Sequence, residues 1–98
     1  MRNVKRYRII ELLEQKYPAR RLRNYAIDQL ANALNIQRRM LILKIGIDVE
    51  SPSEISAEQL FIISNFLEVS IEDLFTLEAK EYYKDKSISL KVEVTQVK

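Results

Sequence analysis

The sequence predicts a mainly α-helical domain of five helices with a single β-strand as its C-terminal tail. Three observations carry that prediction. Residues 27–45, IDQLANALNIQRRMLILKI, divide into two short amphipathic helices around a break at Asn35. Two serine capping signals, Ser56-Ala-Glu-Gln59 and Ser70-Ile-Glu-Asp73, each open a further helix. Residues 87–97, SISLKVEVTQV, alternate Ile88, Leu90, Val92 and Val94 with Ser89, Lys91, Glu93 and Thr95, the period of a half-buried strand.

The first helix is expected over residues 4–16. Val4, Tyr7, Ile10 and Leu13, with Ile9 and Leu12, have helical spacing, and Asn3 suits the N-cap. Pro18 ends it, because the residue before a proline is pushed towards extended geometry. A basic connector with Arg20, Arg21 and Arg23 then leads to Asn24, the expected cap of a second helix over 25–34. Asn35 can take the left-handed conformation that a tight turn between helices needs. The third helix runs from about Gln37 to Ile45, and Gly46 suits the residue just past its end.

Leu30, Ala31, Leu34, Ile36, Leu41 and Ile45 are expected to lie between the second and third helices and against a core. Ala31 is small where those helices must cross closely. That spacing is the arithmetic of a helix-turn-helix. With Leu41 and Ile45 inward, Met40 and Leu43 point outward and Ile42 lies on the flank. The third helix is therefore unusually apolar on its exposed face.

Residues 46–55 read as a connector containing Pro52. The fourth helix should run from Ala57 to about Leu67, and the fifth from Ile71 to about Tyr82. A lone strand after it leaves backbone groups unpaired, so it needs a neighbour. Leu43, Ile45, Ile47 and Val49 also alternate and offer one within the chain. The preferred expectation is the same strand of a second molecule, giving an isologous dimer through Ile88, Leu90, Val92 and Val94. The chain then divides into a helix-turn-helix domain over 1–82 and a dimerising tail over 83–98.

Ninety-eight residues make one domain with a modest core. Hydrophobic content of 47% with 31% charged is the balance of a soluble globular protein. Met1-Arg2-Asn3 does not open a signal-peptide pattern, and no apolar run approaches the roughly 20 residues of a spanning helix. A cytoplasmic protein without membrane contact is the expectation. Charge is divided unevenly. Residues 1–46 hold eleven Lys and Arg against three Asp and Glu, a net +8, while residues 47–98 hold five against eleven, a net −6. Such a bipolar chain can aim its basic half at a polyanion.

Enzymatic chemistry finds little to work with. The absence of histidine and cysteine removes imidazole acid–base catalysis and soft metal sites, and a single glycine cannot build a phosphate-cradling loop. Glu72 and Asp73 stand in the opening turn of a helix, where acids favour the dipole. Tyr82 and Tyr83 are best read as packing at the junction with the tail. No catalytic residue, metal, cofactor or small-molecule substrate is expected.

The chain resembles the Cro/C1-type (lambda-repressor-like) helix-turn-helix family of phage and bacterial DNA-binding regulators over roughly residues 25–76. The resemblance rests on QLANALNI, RRMLILKI and ISAEQLFIISNFLEVSIEDLF, residues 55–75. It implies a five-helix bundle that binds double-stranded operator DNA as a homodimer and regulates transcription, with the third helix in the major groove. By position, Gln37, Arg38, Arg39 and Leu43 would face base edges. Arg20, Arg21, Arg23, Asn24, Tyr25 and Lys44 would meet phosphate. Helix N-termini and arginines suit that task physically, since free N–H groups and guanidinium charge both attract phosphate. Three departures stand out: Ile27 where the family usually has Gln, Asn35 in place of the turn glycine, and a long connector over 46–55. If its apolar face were buried against protein, the same third helix would serve as an interaction module.

Overall fold

Helix boundaries in this chain are set by a few local devices, and a computed structural model shows where each one acts. It describes residues 4–97, with side chains over 4–88. Helix α1 spans Ile9–Lys16, α2 Arg20–Leu34, α3 Arg38–Ile45, α4 Ala57–Leu67 and α5 Leu77–Val97, with a 3₁₀ turn at Glu72–Leu74 before α5. The architecture is mainly helical, as expected. Helix α2 packs against both α3 and α4, and α1 lies on α4. None of the helices among the described residues is long and apolar enough to cross a membrane.

Helix α4 follows its sequence signal to the residue. Ser56 Oγ accepts from the Gln59 backbone N–H at 3.2 Å, and the Gln59 side chain accepts from the Ser56 N–H at 3.4 Å. Two orphan donors at the helix start are thereby satisfied together. Its other end stops at Glu68, which adopts a left-handed φ of 59°. Lys16 of α1 reaches this terminus, donating to the Phe66 carbonyl at 3.2 Å and to the Glu68 carboxylate at 2.7 Å. The cation sits where the α4 dipole is negative. That hydrogen bond, together with the Lys16 charge, holds the Glu68 carboxyl below its ordinary value of 4.5.

The expected helix over 4–16 forms only in its second half. Residues 4–8 form a non-helical arm, bent at Arg6, whose Lys5 and Tyr7 make isolated antiparallel bridges to two other segments. Arg6 N–H donates to Ile47 O at 3.0 Å and Val49 N–H to Val4 O at 2.9 Å on one side. On the other, Thr76 N–H donates to Arg6 O at 3.1 Å and Arg8 N–H to Leu74 O at 2.6 Å. Arg6, at the bend, and its neighbour Tyr7 are both buried, in different surroundings. The arm is covered on both faces. Tyr7 joins the core beside Phe75, ring centroids 5.2 Å apart, and Phe75 in turn meets Tyr83 edge-on at 6.2 Å. Tyr82 and Tyr83 are therefore packing residues at the start of α5, and burial raises the Tyr83 hydroxyl above its ordinary 10.0.

Arg6 is the unusual core member. It is 6% exposed and meets no carboxylate among the described residues. Its guanidinium instead donates to the carbonyls of Val49 (3.0 Å), Ser51 (2.8 Å) and Ser53 (3.2 Å). The connector 46–55 is thus wrapped around one cation, whose Nε has no partner among the described residues. The alternation of Ile47 and Val49 finds its use here. Asp48 pairs antiparallel with Lys5 of the arm, not with the tail.

Three further expectations are corrected. Helix α2 begins at Arg20, so Arg20, Arg21, Arg23 and Asn24 lie inside it and Asn24 caps nothing. Arginine is a good helix former, and Arg23 satisfies the bend before the helix by donating to Tyr17 O (2.9 Å) and Pro18 O (3.1 Å). The C-terminal tail is the second correction: its backbone is helical through Val97, so no strand forms over 87–97. A helix satisfies its backbone groups internally, whereas a strand there has no partner among the described residues. Ser70 opens only the short 3₁₀ turn, because Phe75 must extend to pair with Tyr7. Helix α5 is started instead by Thr76. Its Oγ1 accepts from the Ala79 N–H at 3.0 Å and donates to Lys5 O at 2.7 Å. Of the residues expected to pair two copies as strands, Ile88 is exposed on α5, and the side chains of Leu90, Val92 and Val94 lie outside the described residues.

Arg6→Ala leaves three carbonyls without their donor and should lower stability by about 2 kcal/mol in urea titration. Amide exchange should accelerate first over residues 47–55; unchanged protection there would contradict the wrapping role. Glu68, with its lowered native value, contributes stability that is fully present above pH 4.5 and is lost as pH falls through the lowered value. Wild type and Glu68→Gln should therefore differ in denaturation midpoint at neutral pH and converge under acid.

Candidate nucleic-acid interface

The site begins with the turn between α2 and α3. Asn35 stands at φ 57°, ψ 42°, and its N–H still reaches the last carbonyls of α2. The chain reverses there, Ile36 N–H donates to Ala31 O at 3.1 Å, and Gln37 becomes the extended N-cap of α3. Ala31 and Leu34 from α2 and Leu41 and Ile45 from α3 are buried, each as the spacing predicts, and Leu41 is fully enclosed. That pairing fixes which residues α3 can show to solvent.

The residues expected to meet DNA divide sharply. Gln37 is exposed and makes no side-chain cap bond. Arg39 is exposed, with no hydrogen bond or ion pair among the described residues. Arg38 is folded back onto α2. Its guanidinium donates to the Asp28 carboxylate at 2.7 Å, to Asn24 Oδ1 at 3.1 Å and to Asn24 O at 3.2 Å. Lys44 is also engaged, donating to Glu54 O at 3.1 Å. Arg23 is held by the bend before α2. Half of the Arg and Lys side chains expected at base or phosphate are thus spent within the fold.

The cations left over are Arg20, Arg21 and Arg39, all exposed. Arg20, Asn24 and Asp28 follow one another at one-turn spacing and line one stripe of α2, with Arg21 beside it. Because Arg38 grips Asn24 and Asp28, that stripe lies against the start of α3. Arg20 and Arg21 extend it towards the α2 N-terminus, and Tyr25 is 62% exposed on the same helix. Beside the turn, an open depression of about 630 Å³ is lined by Asp28, Asn32, Asn35, Gln37 and Arg38 among others. Its walls mix these polar side chains with the apolar Ala31 and Ile36, and the N-terminus of α3 opens onto it.

The opposite flank of α3 is apolar. Ile42 and Ile45 line a cleft of about 200 Å³ with Ile10, Leu13 and Ile27, bordered by Glu14 and Arg23. Ile27 is therefore a cleft residue that also packs against the core. Met40 and Leu43 are exposed, as predicted from the inward positions of Leu41 and Ile45.

Asp28 is a site residue that the sequence pattern did not single out. It is the sole acid between Glu14 and Asp48, and a lone carboxylate in a basic stretch is a visible signal for an internal ion pair. Comparison with protein families, with characterised proteins and with solved structures returns no match to this chain.

The left-handed turn is open to a direct check. Asn35→Gly should be neutral or slightly stabilising, whereas Asn35→Ala should cost about 1 kcal/mol in denaturant titration. Equal stability of the two variants would show that the turn does not need φ above zero.

Proposed function

We propose that the protein is a sequence-specific DNA-binding transcriptional regulator of the lambda-repressor-like helix-turn-helix kind, acting as a homodimer with α3 in the major groove. The observation that carries this reading is the exposed start of α3, where Gln37 and Arg39 have no internal side-chain partners among the described residues, on the +8 half of the chain. Arg39 would supply the two-pronged contact to guanine and Gln37 the contact to adenine. Arg20, Arg21 and Tyr25 would meet phosphate from α2. Arg38, bound to Asp28 and Asn24, would position α3 against α2 and not read a base itself.

A second reading has its own support. Ile10 and Ile42 at the apolar cleft, and Met40 and Leu43 on the outward side of α3, are each more than two-fifths exposed, and such apolar surface also suits a protein partner. DNA is favoured because Arg39, Arg20 and Arg21 are exposed without internal partners among the described residues, and α3 carries no acid.

Selection of bound sequences from a random duplex pool separates the two. Enrichment of a palindromic motif is expected, and no enrichment would leave the protein-docking reading. Arg39→Ala should flatten discrimination among enriched sequences without unfolding the chain. Arg20→Ala with Arg21→Ala should weaken all duplexes alike and reduce the slope of log affinity against log salt by about two. A sequence-selective loss in that double variant would contradict the phosphate assignment.

A further inference from the structure

Resting on the DNA-binding reading, we infer that α3 reads thymine methyl groups, with Leu43 as the residue that selects them and Met40 beside it. The hydrogen-bonding side chains that α3 can offer a base edge are confined to its first turn. Arg38 and Lys44 are bound internally, which leaves Gln37 and Arg39. Leu43 lies one turn beyond Arg39 on the same outward face, and it is 61% exposed. Met40 is 43% exposed on the adjoining flank, while Ile42 turns away into the cleft with Ile10.

A leucine held against the floor of a major groove has one favourable partner there, the C5-methyl group of thymine. Opposite guanine or adenine it would cover N7, O6 or N6 and remove water without returning a hydrogen bond. Opposite unmethylated cytosine it would cover the N4 donor in the same way. Discrimination therefore arises from both sides: apolar contact with the methyl is gained, and the other edges are penalised. The occupant is set by charge as well as by shape. Arg39 flanks Leu43 on α3, Arg20 and Arg21 continue the cationic surface on α2, and α3 contains no carboxylate that would repel a phosphate backbone. An acidic protein helix would meet the same cations, and selection from a duplex pool excludes it or favours it.

The test uses the full chain and the duplex enriched from the random pool. Each thymine is replaced in turn by deoxyuridine, which keeps every base-pairing group and removes one methyl. At one or two positions per half-site, affinity should fall about four-fold, the value of one buried methyl group. Leu43→Ala should bind the thymine and uracil duplexes equally, and circular dichroism should show its fold unchanged. Replacing the sensitive T·A pair by C·G should weaken binding, and 5-methylation of that cytosine should restore part of the loss. Selective binding that is indifferent to every uracil substitution would overturn the inference while leaving the DNA-binding reading intact. Persistence of the methyl effect in Leu43→Ala would overturn the role of that residue. A pool that yields no enriched duplex would remove the DNA-binding reading and this inference together.

Discussion

A guanidinium buried among backbone carbonyls organises much of this molecule. Arg6 must have its donors satisfied, and the backbone carbonyls of Val49, Ser51 and Ser53 supply the acceptors. The connector between α3 and α4 is irregular and has no helix or ladder of its own to satisfy it. Folding it around Arg6 answers both needs. The arm that carries Arg6 also pairs with Ile47 and Val49 on one side and with Leu74 and Thr76 on the other. One short arm thereby sets the end of α3, the approach to α4 and the start of α5. Replacing the arm by a longer α1 would strand all three.

The same principle of internal satisfaction shapes the candidate interface. A basic surface of this density would suggest many cations available to a polyanion. Arg23, Arg38 and Lys44 are each engaged by carbonyls or by Asp28, so the outward charge is concentrated in Arg20, Arg21 and Arg39. The engaged arginines contribute differently: Arg23 closes the bend between α1 and α2, and Arg38 holds α3 to α2. An exposed ion pair such as Asp28–Arg38 adds little stability by itself. Its geometric effect is larger, because the contacts of Arg38 orient the first turn of a helix only eight residues long.

That short helix has two unlike surfaces. Its beginning carries Gln37, Arg38 and Arg39 beside an open depression of mixed polarity, while Ile42 and Ile45 further along border an apolar cleft with α1. Leu41 and Ile45 account for the inward side. The exposed leucine and methionine are not needed by the core, so their chemistry must be judged against what approaches from outside. A major groove accepts such side chains at thymine and penalises them elsewhere, which makes an apolar reading surface compatible with selectivity.

Features governed by neighbours along the chain were legible in the residues themselves. The Ser56 capping box, the left-handed Asn35, the inward set Leu30, Ala31, Leu34, Leu41 and Ile45, and the outward Met40 and Leu43 follow from local dihedral preference and helical period. These energies involve residues within a turn or two of one another, so they do not wait for a partner. The arm over 4–8, the N-terminal extension of α2 and the helical tail were not legible. An alternating or apolar-periodic segment becomes strand or helix according to which backbone partners are within reach. For residues 4–8 those partners are Ile47, Val49, Leu74 and Thr76, far along the chain; for the tail none is present among the described residues. The availability of Arg39, in contrast to Arg38, was likewise decided by tertiary contact. Only the crossing of α2 and α3 brings Asp28 to 2.7 Å from one arginine and leaves its neighbour facing solvent.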